Sequence, residues 1–170
     1  FSSYTYRKRV DIAIEAYKIL KKKIDCQLIL AGGKITGYQK NFDVNSLTQN
    51  LQDVKILGYI PEKNVPRLYN SFDFFLFPSE AEGFGIPILE AQRCGIPVFI
   101  MKGAHIPDET RRYAVKCASA EDMANKILYY INHRDEYRKL SAAGINYAKQ
   151  FTWKSYAKKY LALYQEVLRR

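Results

Sequence analysis

The chain has 170 residues, 48% of them hydrophobic, which is enough for one domain with a sizeable buried core and too many for a disordered segment. Lys and Arg total 27 against 17 Asp and Glu, a net charge of +10 that favours phosphate-rich partners or an anionic membrane surface. No apolar run reaches the roughly 18 residues of a membrane span. Cys26, Cys94 and Cys117 lack Cys-x-x-Cys spacing, which argues against a zinc site and a disulfide framework, and His105 and His133 are far apart in sequence. No metal centre is expected, and a reducing cytoplasm, at most peripheral to a membrane, is the setting that fits.

In chain order, Phe1 to Tyr6 reads as the end of a strand and its loop, so that a piece of a longer protein is expected. Val10, Ala13, Ile14, Tyr17 and Leu20 share the spacing of an amphipathic helix. Gln27–Ala31 predicts a short buried strand ending at Gly32-Gly33, where backbone could approach a ligand closely. A short helix near 45–47 precedes a strand and turn over Val54–Pro61, and Glu62–Asn70 predicts a helix with Val65, Leu68 and Tyr69 inward. The apolar run Phe72–Phe77 suits a central parallel strand covered on both faces. Ile96–Ile100 predicts the next strand, Ser119 caps a helix bearing Met123, Ile127, Leu128 and Ile131, and a second helix covers about 134–150. Thr152 caps a last helix over 152–170, with Tyr156, Tyr160, Leu163, Tyr164 and Val167 as its packing row. That row is read as core, the alternative being a docking face for a further domain. Strands alternating with helices imply parallel pairing, right-handed crossovers and a crevice at the carboxyl ends of the strands.

The stretch between the central strand and Val98 concentrates the chemistry. Pro78-Ser79-Glu80-Ala81-Glu82-Gly83-Phe84-Gly85 is a glycine loop, and Pro87 suits the start of a helix at about Ile86 that stops at Gly95. Strand, loop and helix start in that order make an anion site, because backbone N–H groups and the positive end of the helix dipole point at one spot. Glu82 and Glu90 frame the spot with seven residues between them, and a carboxylate accepts hydrogen bonds from two neighbouring hydroxyls of a sugar or ribose. The bland alternative is that Glu90 complements the dipole and Glu82 is solvated loop.

Glu82-Gly83-Phe84-Gly85-Ile86-Pro87-Ile88-Leu89-Glu90-Ala91, followed by Cys94-Gly95-Ile96-Pro97-Val98, resembles the E-x7-E signature of family 4-type retaining glycosyltransferases (glycosyl transferases group 1). The resemblance implies the C-terminal half of a GT-B fold, a Rossmann-like doubly wound parallel sheet, spanning 1–170 as one nucleotide-sugar-binding domain. It implies that Lys8, in Lys8-Arg9-Val10, contacts the donor diphosphate, that Glu82 and the backbone of Gly83, Phe84 and Gly85 hold the sugar, and that Ile88 belongs to the helix start facing phosphate. Glu90 would hold the ribose, Gly32 would approach the donor, and Ile60 would pair with the base edge. The family usually has an arginine where this chain has Ser3, so Arg7 or Arg9 is the expected substitute. Lys102–Glu109 resembles the glycine-rich loop ending in I-P-E, and Phe151-Thr152-Trp153 the F-[ST]-W start of the last helix.

The expected substrate is a nucleotide diphosphate sugar, UDP- or GDP-linked, with no cofactor and no obligatory metal. Expected partners are an N-terminal GT-B domain and an anionic membrane surface or lipid-linked acceptor. Two rivals stand beside this reading. One is a sugar-nucleotide epimerase or non-catalytic binding module of the same fold. The other is a basic domain for nucleic acid or membrane, for which affinity would fall steeply with salt; no nucleic acid is expected, since the aromatics sit at helix-core spacing rather than between the basic clusters Arg7-Lys8-Arg9, Lys21-Lys22-Lys23, Arg111-Arg112 and Lys158-Lys159.

Overall fold

The computed structural model describes residues 4–33 and 42–169. Helix α1 (Val10–Lys21) turns the predicted apolar face inward, burying Val10, Ala13, Ile14, Ala16, Tyr17 and Leu20. Strand β1 (Leu28–Ala31), helix α2 (Val44–Thr48), strand β2 (Val54–Gly58), helix α3 (Val65–Tyr69) and strand β3 (Phe75–Phe77) follow. Next come α4 (Ile86–Arg93), β4 (Val98–Met101), α5 (Asp108–Arg111), β5 (Val115–Cys117), α6 (Ala120–Asn132), α7 (Arg134–Ala148) and α8 (Trp153–Val167).

All pairings between these strands are parallel. β1 pairs with β2, Leu28 lying opposite Val54, while β3, β4 and β5 form a second sheet in that order. Val98, Phe99 and Ile100 of β4 are fully buried, and strand alternation divides them between two faces. Val98 and Ile100 pack with Phe75, Phe77, Ile88 and Ala91 on the α4 side. Phe99 packs with Ala16 and Leu20 of α1 and with Met123, Ala124 and Ile127 of α6 on the other. Helices on both faces of parallel strands are the doubly wound arrangement.

Two strand expectations change. The run Phe72–Phe77 yields a strand only over Phe75–Phe77, and among the described residues it lies at the edge of its sheet, with β4 at the centre. Its apolarity has another cause: Phe72 meets the Tyr69 ring edge-on, and Phe74 meets Phe99 and Tyr137 in the same way. The two sheets also share no ladder among the described residues, and residues of β1 and β3 together line a cavity of about 500 Å³. The segment Tyr4–Arg7 links the sheets at their carboxyl ends. The Tyr4 N–H donates to the Gly33 carbonyl (3.3 Å), and the Glu80 N–H donates to that of Arg7 (2.9 Å).

The last helix corrects a third expectation. Thr152 caps α8 as predicted, its hydroxyl accepting from the Ser155 N–H. Tyr160, Leu163, Tyr164 and Val167 are nonetheless exposed, each by more than half of its surface. Only Tyr156 of that row packs, its ring 5.9 Å from Phe84 and 6.4 Å from Phe151. Helical spacing fixes which face is apolar; it does not supply the surface that covers it.

Gly95 ends α4 in the left-handed region (φ 78°), and its carbonyl accepts from the Ser141 hydroxyl of α7 at 2.6 Å. An added Cβ there would lie 3.0 Å from Ser141 Oγ and 3.1 Å from Ile145 Cδ1. Gly95→Ala is therefore expected to lower stability by about 2–4 kcal/mol, combining left-handed strain with overpacking. Urea denaturation checks it, and a loss below about 1 kcal/mol contradicts this account of the α4–α7 contact.

Candidate functional site

The loop after β3 is fixed before it carries any chemistry. Ser79, buried, donates its hydroxyl to the carbonyls of Arg7 and Ala81 (3.3 and 3.2 Å). The loops after β3 and β4 are laced together by an Ala81–His105 bridge. In it the Glu82 N–H donates to the His105 carbonyl (2.9 Å), and the His105 N–H to that of Glu80 (2.7 Å). Glu82 thus leaves a braced backbone.

Lys8 closes a one-turn 3₁₀ helix at Tyr6–Lys8 and brings its Nζ within 2.5 Å of Glu82 Oε1. The two side chains keep only 12% and 10% of their surface, and Lys8 Nζ also stands 5.4 Å from the centre of the Phe77 ring. Arg7 donates to the Ala81 carbonyl and has its Nη1 3.7 Å from Glu82 Oε2. Arg9 takes the left-handed conformation (φ 47°) ahead of α1 and pairs with Asp11 (2.8 Å) and Glu80 (3.1 Å). The Asp11 hydrogen bond raises its already high pKa. Of the two cations expected to stand in for an arginine at Ser3, Arg7 therefore faces Glu82, while Arg9 is committed elsewhere. Ser3 itself lies outside the described residues.

The start of α4 is shaped by Gly85, buried at φ 88°, where a Cβ would meet Ile88 Cδ1 and Thr110 Oγ1 at 3.3 Å. Pro87 has no N–H, and the Ile88 N–H donates to the Gly85 carbonyl (3.0 Å), so the donors of this helix start are Ile86 and the loop before it. The Ile88 side chain is fully buried in the core. Phe84 turns its ring toward Phe151 and Tyr156, which leaves backbone as its offer to a ligand, and a Cβ at Gly83 would meet open space. One turn into α4, Glu90 Oε2 accepts from the Tyr69 hydroxyl at 3.0 Å. Burial first, and the Glu90 charge second, push the Tyr69 hydroxyl far above its ordinary pKa.

Across the first sheet, Gly32 lies just beyond β1 with its N–H spent on the Gly58 carbonyl (2.7 Å); close approach, not donation, is what it offers. Ile60 is half-buried past β2, and no hydrogen bond or ring contact among the described residues ties it to Lys8, Glu82 or Glu90. Among the described residues there is also no cluster of three or more His, Cys, Asp or Glu placed to hold a metal ion, and no helix long and apolar enough to cross a membrane. Sequence reasoning missed Ser79, His105 and Tyr69 as supports. Only Tyr69 left a signal, since a tyrosine on a helix face read as core needs a partner for its hydroxyl.

Parallel strands with helices on both faces, and a polar cluster gathered where the strands end, define an α/β domain with its crevice in the usual place for that fold. Residues 1–149 match the family described as glycosyl transferases group 1, and the chain belongs to that family. It is 28% identical over 155 residues to O-antigen chain mannosyltransferase B of Escherichia coli, covering 88% of this chain and 40% of that protein. It is also 28% identical over 169 residues to mannosylfructose-phosphate synthase of Agrobacterium fabrum, covering 92% and 37%. The chain thus spans less than half the length of these relatives. Among solved structures it superposes on sucrose-phosphate synthase from Thermosynechococcus elongatus with a TM-score of 0.82 (22% identity, 98% of this chain, 44% of that one). The C-terminal domain of LpcC, a glycosyl transferase group 1 family protein from Francisella tularensis, gives 0.73 (23% identity, 88% and 82%). Anabaena HepE in complex with UDP and glucose gives 0.71 (24% identity, 88% and 42%). The fold is that of the C-terminal half of a GT-B glycosyltransferase.

The Lys8–Glu82 pair makes a stability test. Lys8→Met and Glu82→Gln are each expected to cost about 2–5 kcal/mol, because Glu82→Gln leaves the largely buried Lys8 charge without its carboxylate and Lys8→Met leaves Glu82 only the more distant Arg7 at 3.7 Å. The double variant should cost less than the sum, with a coupling of about 1–3 kcal/mol. A denaturation cycle additive to within about 0.5 kcal/mol contradicts the coupling.

Proposed function

We propose that this chain is the donor-binding domain of a retaining glycosyltransferase, which moves a sugar from a nucleotide diphosphate sugar to an acceptor hydroxyl. The observation that carries the reading is the 2.5 Å contact between Lys8 and Glu82, four residues ahead of a helix start, with Glu90 one turn inside that helix. The family supports glycosyl transfer, and HepE, a protein of similar fold, is described with UDP and glucose bound.

In this reading a diphosphate takes Lys8 as its counter-ion beside the donors of Ile86 and the Gly83–Gly85 loop. Glu82, released from Lys8, accepts hydroxyls of the donor sugar. Glu90 accepts the ribose hydroxyls, while Gly32 and Ile60 border the base. As the bond to the anomeric carbon breaks, charge grows on the departing diphosphate. Lys8, Arg7 and the dipole of α4 meet that charge, so their attraction is greatest in the transition state. The reading assigns this role to protein cations and a helix start, without an obligatory metal or cofactor.

Lining an acceptor site falls to a further domain in this proposal. The exposed Tyr160–Val167 row of α8 supports docking to such a domain, and the basic excess supports an anionic surface or lipid-linked acceptor at the cytoplasmic face of a membrane. The test is calorimetric titration with UDP, GDP, ADP and their sugars. Glu90→Ala should lower affinity for the preferred nucleotide about tenfold to a hundredfold, the effect of losing charge-assisted hydrogen bonds. Unchanged affinity in a folded variant overturns the ribose assignment. With radiolabelled donor and a panel of acceptors, this chain alone should bind without turning over. Sustained transfer at about 1 s⁻¹ or faster contradicts the need for a second domain.

A further inference from the structure

Glu90 is reached by a residue that the proposed mechanism does not use. Tyr69 ends α3 and is 1% exposed. Its ring is held edge-on by Phe72 at 6.2 Å and Phe75 at 5.5 Å, within the cluster that contains Ile88 and Ala91 of α4. The core therefore fixes where its hydroxyl lies. A phenylalanine would fill the same space without bringing a hydroxyl out of water, so the oxygen is justified only by what it binds. The hydroxyl carries one proton, and it donates that proton to Glu90 Oε2 at 3.0 Å.

We propose that Tyr69 is a positioning residue for Glu90, selecting the rotamer in which the carboxylate presents its Oε1 edge to a ribose. The inference rests on the reading of Glu90 as the ribose acceptor. A partly buried glutamate with three side-chain torsions otherwise loses its remaining freedom when ligand binds, and a carboxylate already held by a rigid phenol loses less. Tyr69 touches no ligand in this scheme. It acts through Glu90, from within a cluster that the core immobilises.

The test uses Tyr69→Phe and Glu90→Ala, singly and together. Each is titrated calorimetrically with whichever of UDP, GDP and ADP binds the unaltered chain most tightly, and with the 2′,3′-dideoxy form of that nucleotide. Tyr69→Phe should weaken the ribonucleotide about threefold to tenfold, the size of one hydrogen bond, and leave the dideoxy form unchanged. The double variant should bind no worse than Glu90→Ala alone. Equal loss for both nucleotides in Tyr69→Phe marks a structural role and overturns the proposal. So does unchanged ribonucleotide affinity in Tyr69→Phe when Glu90→Ala is weakened, which leaves the ribose assignment standing. Unchanged affinity in Glu90→Ala, or no binding of any of the three nucleotides, overturns the ribose assignment itself and Tyr69's role with it.

Discussion

Lys8 and Glu82 are 74 residues apart in sequence and 2.5 Å apart in space, and both are largely withdrawn from water. Two charges in that position are tolerable only together, since desolvation of either one alone costs several kcal/mol. The contact constrains everything around it. The 3₁₀ turn at Tyr6–Lys8 must lie against the loop after β3, and that loop must be braced by Ser79 and by the lacing to His105. A flexible lysine on a mobile loop could not keep a carboxylate buried. In the proposed function the same pairing suits ligand exchange, since a phosphate that took Lys8 would free Glu82 for hydroxyls and leave neither charge bare.

The helix start offers less than its sequence promises. Pro87 cannot donate, and Ile88 spends its N–H on Gly85, so the donors left at this end of α4 lie at Ile86 and in the glycine loop. Gly85 makes that possible: its left-handed backbone lets the chain turn into α4 while Ile88 and Thr110 close over the place a side chain would need.

Much of this was legible in the sequence for local reasons. The periodicity of Val10, Ala13, Ile14, Tyr17 and Leu20, the caps at Ser119 and Thr152, and the strand–glycine–helix order after Phe77 are set by neighbours a few residues apart. Lys8 and Glu82 were readable as candidate site residues, but their direct pairing was not, because it depends on the path of two loops in space. Phe72–Phe77 misled because rings packing edge-on and a buried strand write the same apolar run. The α8 row misled because spacing says nothing about what lies opposite. Tyr69 was placed inward from its helix face, whereas its partner Glu90, 21 residues away, could be found only in three dimensions.

The division of the strands into two sheets bears on how the molecule opens. α1 is the element common to both sides: Val10 and Ile14 belong to the cluster with Tyr4, Leu30 and Val44, while Ala16 and Leu20 belong to the one with Phe99 and Met123. Among the described residues no ladder crosses between the sheets, and cooperativity between them passes through such a shared helix and the strip at Tyr4–Arg7. The β1–β2 side, with a second strand whose middle residues are exposed, then has the weaker hold on its amide hydrogens. Protection from hydrogen exchange should be graded along α1 itself, rising from its first turn to its last as the helix passes from one cluster to the other.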